Sequence, residues 1–283
     1  MTATSPSNGS APHTRGFLQR PDTRLYYEVS GSGPGLVFAH GLGGNHLSWW
    51  QQVPRFAGRY TCVTFAHRGF APSDPIQSGP DPANYADDLA ALIDHVGLDD
   101  VRVVAQSMGG WSAVEYALRR PAKLKALVLA ATTGSLDPAK SGIAPGALAR
   151  WMSEADAGRA ACAEARAHVA GGARMLREQP AQHFLYAAID AMNAAMDKEG
   201  VRARLGAMRA RDLDAAGSIV VPTLFIAGGE DIVIPCIAMP YLAKAMPNAR
   251  VAEIAEAGHS AYFERPGQFN RLVADFLAAI DGA

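Results

Sequence analysis

Apolar and polar positions divide the chain into segments that have the lengths and periods of strands and helices. Residues 17–29 alternate as expected for a β-hairpin, with its turn at Pro21 and Asp22. Short apolar runs predict core strands, and these runs lie at 35–39, 60–65, 101–106, 124–131, 219–227 and 250–254. The chain is therefore predicted to begin with a hairpin and to continue with a series of core strands.

Amphipathic helices separate these strands. Residues 85–96 place several leucines and Ile93 on one helical face, and Gly97 follows as a C-cap. A second helical pattern follows Ser107, and another closes the chain at 266–280. Strands that alternate with helices of this length predict an α/β fold, with a mostly parallel, doubly wound sheet covered on both faces.

The alternation of strands and helices breaks between residues 135 and 217. This stretch is rich in Ala, Met, Arg and Glu at helical periods and has almost no strand signal. We interpret 135–217 as a helical cap inserted into a core formed by 13–134 and 218–283. Residues 1–12 are rich in Ser, Thr, Pro, Ala and Gly and are expected to form a disordered leader.

Composition narrows the class of protein. The 283 residues are 49% apolar and 19% charged, which is typical of a globular protein with a large core. A formal charge of −1 gives no electrostatic reason to expect nucleic acid or an anionic membrane as a partner. No apolar stretch approaches the roughly 18 residues needed to span a bilayer. Cys62, Cys162 and Cys236 fit neither a disulfide framework nor zinc spacing, so a reducing, cytoplasmic setting is expected.

Residues 103–110 are the most informative stretch, because an apolar strand runs directly into a helical pattern. Ser107 stands at the junction, with Ala105 two residues before it and Gly109 two residues after it. Small residues are needed at these positions because larger side chains would collide across so sharp a turn. Such a turn exposes the serine Oγ and aims the first N–H groups of the helix at the same space. Ser107 is therefore a candidate nucleophile, although a structural turn serine shows the same short pattern.

A serine nucleophile needs a base, and the base needs an orienting acid. Asp231 follows one apolar strand of the C-terminal third, and His259 follows the next. Because the carboxyl ends of parallel strands meet at one edge of a sheet, these two residues can converge there with Ser107. Glu230 and Glu256 are rival acids, but only Asp231 keeps a Gly-x-x-Asp spacing.

The order Ser107, Asp231, His259, together with the strand–turn–helix elbow, resembles the α/β-hydrolase fold family. The resemblance spans about residues 17–280, and its further motifs are His40-Gly41-Leu42-Gly43-Gly44, Gly228-x-x-Asp231 and Gly258-His259 with Glu264-x-Pro266. The roles it implies are nucleophile for Ser107, general base for His259 and orienting acid for Asp231. The backbone N–H groups of Leu42 and Met108 would then hold the oxyanion.

One motif departs from that family. Many relatives have Asp-x-Arg-Gly-x-Gly-x-Ser after the fourth strand, whereas this chain has Ala66 at the aspartate and Ala71 at the second glycine. We therefore expect altered packing of this loop, without consequence for the assignment of Ser107. Among the histidines, His40 is expected to be structural. Three others are expected to be polar surface or loop residues, namely His46, His67 and His95.

A serine at the elbow favours acyl transfer, because relatives that open epoxides or displace halide generally use aspartate there. The sequence is therefore interpreted as a serine hydrolase that cleaves a small carboxylic ester or lactone. No cofactor is expected, and no metal site, because no cluster of ligands has suitable spacing. The Met- and Ala-rich composition of 135–217 suggests an apolar portion of the substrate.

Three alternatives stay open at this point. The first is a carbon–carbon bond hydrolase that acts on a diketone-type ring-cleavage product, although Gln106 and Ser260 depart from the Asn and Trp of such enzymes. The second is a receptor of the same fold that binds a small ligand with little turnover. The third is perhydrolysis, in which peroxide replaces water as the acyl acceptor. A homodimer is one arrangement that the sequence leaves open.

Overall fold

The residues described by the computed structural model are 13–76, 78–119 and 122–282. The disordered leader predicted at 1–12 lies outside them. The predicted hairpin is present, because β1 (His13–Gln19) and β2 (Arg24–Ser30) pair antiparallel around a turn that contains Pro21 and Asp22.

The other strands follow the predicted apolar runs. They are β3 (Gly35–Ala39), β4 (Thr61–Phe65), β5 (Val101–Gln106), β6 (Leu124–Ala130), β7 (Thr223–Gly228) and β8 (Ala249–Ile254). The order across the sheet is β1-β2-β4-β3-β5-β6-β7-β8, and every pair from β4 to β8 is parallel. This confirms the mostly parallel sheet. β7 begins at Thr223 and not at residue 219, because Pro222 has no N–H to donate to a strand ladder.

The α-helices within the described ranges are α1 (Val53–Phe56), α2 (Tyr85–Val96), α3 (Met108–Arg119), α4 (Pro145–Ala165), α5 (Gly172–Glu178), α6 (Pro180–Ala191), α7 (Lys198–Met208), α8 (Leu213–Gly217), α9 (Met239–Ala245), α10 (Ala261–Glu264) and α11 (Pro266–Asp281). α2 ends at Val96, and Gly97 follows with a φ of 75° as the left-handed C-cap that the sequence predicts. In the described part of the chain, no helix has the length and apolar character needed to cross a membrane.

Apolar side chains cover the sheet on both faces. Successive residues of β3 alternate between the two layers: Val37 and Ala39 pack into one apolar cluster, and Leu36 and Phe38 pack into the other. Residues of α2, α3 and α9 complete the first cluster, and residues of α1, α10 and α11 complete the second. The predicted doubly wound arrangement is therefore confirmed.

The chain between β6 and β7 folds into helices α4 to α8. Leu136 and Arg211 form a single β-bridge, so the chain enters and leaves this segment side by side. Arg211 also donates to both carboxylate oxygens of Glu115 on α3, at 2.9 and 3.0 Å. We refer to 135–217 as the inserted segment. Its boundaries and its role as a cap remain predictions.

Candidate active site

Ser107 lies at the turn between β5 and α3 and has a positive φ of 50°. This left-handed conformation is strained for a residue with a side chain, and such strain is concentrated at functional sites. The Ser107 N–H donates to the Ala130 carbonyl at 3.1 Å, and its carbonyl accepts from the Gly110 N–H at 2.9 Å. A Cβ atom at Gly109 would lie only 2.2 Å from the Ala39 carbonyl oxygen. Packing therefore requires the glycine that follows Ser107 by two residues.

The loops after β7 and β8 bring Asp231 and His259 together. A Cβ atom at Gly228 would lie 2.0 Å from the Gly258 carbonyl oxygen, so the two loops pack backbone to backbone. His259 Nδ1 lies 2.9 Å from Asp231 Oδ2, and both residues are buried. When Nδ1–H donates to this carboxylate, Nε2 is left as the acceptor for a hydroxyl proton.

Asp231 is oriented by the loop that follows it. Its Oδ1 accepts the N–H groups of Val233 at 2.7 Å and Ile234 at 3.1 Å. Its Oδ2 accepts from Cys236 Sγ at 3.3 Å as well as from His259. Burial, with the charge and hydrogen bond of Asp231, raises the pKa of the Cys236 thiol, which therefore stays a donor. Both carboxylate oxygens have partners, so the carboxylate is held in one orientation toward the imidazole.

The rival carboxylates lie elsewhere. Glu230 pairs with Arg174 at 2.6 Å on the protein surface, and Glu256 is exposed to solvent. Within the described ranges, Asp231 is the carboxylate that pairs with His259. Of the three candidate acids named from the sequence, the structure therefore places Asp231 next to His259.

Ser107 and His259 line one cavity of about 390 Å³, which is also lined by Leu42 and Met108. The Leu42 N–H has no acceptor among the residues described. Met108 begins α3, where the first N–H groups have no carbonyl in a preceding turn to bond. A Cβ atom at Gly41 would lie 3.0 Å from Ser107 Cβ, so the predicted oxyanion loop closely approaches the serine. The structure thus gathers the predicted site residues around one cavity, with Asp231 behind the imidazole.

Five charged side chains of the inserted segment lie in the lining of this cavity beside apolar residues such as Leu205 and Ile234, namely Asp190, Lys198, Glu199, Arg202 and Arg209. No methionine among the described residues of this segment lines the cavity, so the apolar portion of the substrate suggested by composition stays a prediction. Met175 packs into the apolar core, whereas Met152 is exposed to solvent. Composition does not reveal which face of each helix meets the cavity, because that depends on how the helices dock.

Two of the three histidines expected to be polar surface or loop residues, His46 and His67, are buried, and His67 lies in the loop after β4. His67 Nε2 is 2.9 Å from Ser112 Oγ, and the His67 backbone N–H donates to His40 Nε2 at 2.9 Å. His46 is also buried and packs edge-on against Tyr26. Burial lowers the pKa of His40 to about 3, so this residue is neutral and structural, as expected. In the part of the chain that the structure describes, no cluster of His, Cys, Asp and Glu side chains could hold a metal ion.

Ala66, the position where many relatives have aspartate, is fully buried. It belongs to an apolar cluster whose other buried members are Phe70, Tyr85, Met108, Trp111, Val201 and Leu205. A carboxylate in such surroundings would lose its hydration, which is costly unless it gains a hydrogen-bond partner. Ala66 thus shares an apolar cluster with Met108, the residue after the candidate nucleophile, and the altered packing of this loop relative to the family stays a prediction.

Sequence reasoning did not identify two residues that support this site. Gln106 Nε2 donates to the His259 carbonyl at 3.1 Å and so links the serine elbow to the histidine loop. Glu264 accepts the backbone N–H groups of Gly258 at 2.9 Å and Ser260 at 3.1 Å. The position of Glu264 in the histidine motif could have predicted its supporting role. The only sequence feature that could have predicted the role of Gln106 is its position directly before Ser107.

Comparison with known proteins identifies the class to which the fold and this site belong. A family profile described as alpha/beta hydrolase fold matches residues 34–266. The chain therefore belongs to the alpha/beta hydrolase fold family, which confirms the resemblance found in the sequence.

Similar proteins match over nearly the whole chain. A Mycobacterium tuberculosis protein named "Putative non-heme bromoperoxidase BpoC" is 32% identical over 263 residues, which cover 90% of this chain and 98% of that protein. "Putative carbamate hydrolase RutD" of Azorhizobium caulinodans is 26% identical, covering 92% of this chain and 97% of that protein. The structure described as "Est816 as an N-Acyl homoserine lactone degrading enzyme" is 27% identical with a TM-score of 0.72, covering 92% of this chain and 100% of that one. These relatives support a hydrolase.

Proposed function

We propose that the protein hydrolyses a small carboxylic ester or lactone through an acyl-enzyme formed on Ser107. The observation that carries this proposal is a serine in a strained turn that shares a cavity with His259, whose Nδ1 lies 2.9 Å from Asp231 Oδ2. A hydroxyl, an imidazole and a buried carboxylate in this arrangement supply a nucleophile, a general base and an orienting acid.

In the first half-reaction, Ser107 Oγ attacks the carbonyl carbon of the substrate, and His259 Nε2 takes the hydroxyl proton. The N–H groups of Leu42 and Met108 stabilise the oxyanion, and losing one such donor typically costs about 100- to 1000-fold in rate. The ester C–O bond then breaks, and His259 gives its proton to the departing alkoxide. In a lactone, the released hydroxyl stays attached to the acyl group.

In the second half-reaction, water attacks the acyl carbon and His259 Nε2 takes one of its protons. The bond between the acyl carbon and Ser107 Oγ breaks, and His259 returns the proton to the serine. Asp231 keeps Nδ1–H directed toward itself and stabilises the imidazolium without becoming protonated. The lactone-degrading description of Est816 and the hydrolase name of the RutD relative agree with acyl transfer to water.

A second candidate function is perhydrolysis, which the name of the Mycobacterium tuberculosis relative favours. Hydrogen peroxide would replace water as the acceptor of the acyl group on Ser107. The product would be a peroxy acid, which oxidises bromide, and the same serine and histidine would serve both reactions.

Fluorophosphonate labelling, combined with turnover of p-nitrophenyl acetate and butyrate, tests the proposal. We expect both signals in the wild type and in Ser153→Ala, which replaces an exposed serine, and neither signal in Ser107→Ala. A wild type that is not labelled contradicts the role of Ser107. Labelling without turnover contradicts the hydrolase and favours a ligand-binding protein. Bromide oxidation that requires acetate, peroxide and Ser107 would support the second candidate.

A further inference from the structure

The charges that line the cavity do not balance. Lys198 Nζ lies 2.7 Å from Asp190 Oδ1, and Arg202 forms a hydrogen-bonded ion pair with Glu199. Arg209 forms no ion pair with any of the residues described, although it lines the same cavity. Arg209 is therefore the cation of this lining that lacks a carboxylate partner.

A chain of hydrogen bonds connects Arg209 to the candidate nucleophile. Arg209 Nε donates to the Gly134 carbonyl at 3.1 Å, and the Gly134 N–H donates to Thr132 Oγ1 at 2.9 Å. Thr132 Oγ1 in turn donates to the Ser107 carbonyl at 2.7 Å. The guanidinium is thus fixed relative to the serine, through the loop that follows β6.

The rest of the guanidinium is available for a ligand. With Nε engaged, the two terminal nitrogens of Arg209 have no acceptor in the described part of the chain. They form a planar edge that can bind a carboxylate through two parallel hydrogen bonds. Desolvation lowers the pKa of Arg209, while the charge of Asp137 acts through space in the opposite direction. A cation that has lost hydration without gaining a partner is stabilised by an anionic ligand.

We propose that the ester or lactone substrate carries a carboxylate, which binds to Arg209 while its carbonyl carbon lies at Ser107. A singly charged carboxylate suits the cavity better than a phosphate, because the ion pairs of Lys198 with Asp190 and of Arg202 with Glu199 leave one positive charge to balance, that of Arg209. The reaction in this inference rests on the proposed function, whereas the binding of a carboxylate by Arg209 can be tested without turnover.

A matched pair of esters tests whether Arg209 favours the hydrolysis of substrates that carry a carboxylate. Mono-p-nitrophenyl adipate and p-nitrophenyl hexanoate have acyl chains of equal length, and only the first ends in a carboxylate. Spontaneous hydrolysis is subtracted with Ser107→Ala. We expect Arg209→Gln to lower the ratio of kcat/KM for adipate over hexanoate by about 10- to 100-fold, as for the loss of a charged hydrogen bond. Arg209→Lys should restore part of the ratio, because it keeps the charge but not the planar edge.

The control for the Arg209 variants is Arg150→Gln, which removes an exposed arginine of α4. It should leave the ratio of kcat/KM for the adipate ester over the hexanoate ester as in the wild type. An equal ratio in the wild type and Arg209→Gln would overturn the inference while leaving the hydrolase proposal intact. Melting temperatures of all variants establish that each of them is folded.

Binding separates this inference from the proposed function. Calorimetric titration of adipate into Ser107→Ala is expected to show binding. The affinity should be at least about tenfold weaker in the double variant that carries both Ser107→Ala and Arg209→Gln. If neither ester is hydrolysed but this binding is found, the hydrolase proposal fails and the carboxylate site stands. Binding that is absent, or that does not depend on Arg209, overturns the carboxylate site.

Discussion

Glu264 supports His259 through the backbone on both sides of the imidazole. Its Oε2 accepts the Gly258 N–H at 2.9 Å, and its Oε1 accepts the Ser260 N–H at 3.1 Å. Glu264 is only 1% exposed, and burial raises its pKa to about 8, although these two N–H groups and Arg265 oppose the shift. The histidine loop is therefore held by a carboxyl group that titrates close to neutral pH.

We expect Glu264 to make the folded state less stable as the pH rises from about 4.5 to about 8. The unfolded chain loses this proton near the ordinary pKa of 4.5, whereas the folded chain keeps it to about pH 8. Between these values the folded state binds more protons, so raising the pH favours unfolding. Each pKa unit corresponds to about 1.4 kcal/mol, so the loss can reach a few kcal/mol. Glu264→Gln should therefore show a smaller fall in the free energy of unfolding between about pH 5.5 and about pH 8.5 in urea titrations.

Glu256→Gln is the matched control for that measurement, because Glu256 lies on the same loop and is exposed. It should keep the pH dependence of the wild type. Glu264→Gln also leaves one backbone N–H unpaired, which costs about 1–3 kcal/mol at every pH. An identical pH dependence in the wild type and Glu264→Gln would show that this carboxyl group does not titrate as described.

Replacing Asp231 by asparagine should abolish most of the ester hydrolysis. The asparagine amide can donate to His259 Nδ1, which favours the tautomer whose Nε2 cannot accept a proton from Ser107. The expected loss in kcat is on the order of 10,000-fold, the magnitude typical of such a change in a serine–histidine–aspartate site. Glu230→Gln, which alters the neighbouring surface carboxylate, should stay within about twofold of the wild type. Equal losses in both variants would refute the assignment of Asp231.

Gly41→Ala should lower activity more than stability. The added methyl group would lie 2.1 Å from Gln106 Oε1 and 3.0 Å from Ser107 Cβ, so the loop that carries the Leu42 N–H must move. Displacing one oxyanion donor is expected to reduce kcat/KM for p-nitrophenyl butyrate by about 100-fold. Gly58→Ala is the control, because a Cβ atom there meets nothing within 4 Å. Wild-type activity in Gly41→Ala would rule out an oxyanion loop at this position.

Much of the core fold is readable from the chain itself. The hairpin, the parallel strands and the helix with its C-cap at Gly97 all follow from local periodicity and turn residues, and the structure confirms them. The small residue at Gly109 is predictable as well from the sharp turn at Ser107, although the atom that excludes a side chain there is the Ala39 carbonyl oxygen on another strand. Such signals are available from the sequence because each is carried by one short segment.

The surroundings of the candidate nucleophile Ser107 can be predicted only in part from the sequence. The sequence alone determines that Ser107 and His259 follow predicted strands, and hence that both can reach one edge of a parallel sheet. Only the tertiary structure decides that His67 is buried, that Glu264 supports the histidine loop and that Arg209 lines the cavity. These features depend on contacts between residues far apart in the chain, such as Arg209 with the Gly134 carbonyl, and no local period encodes such contacts.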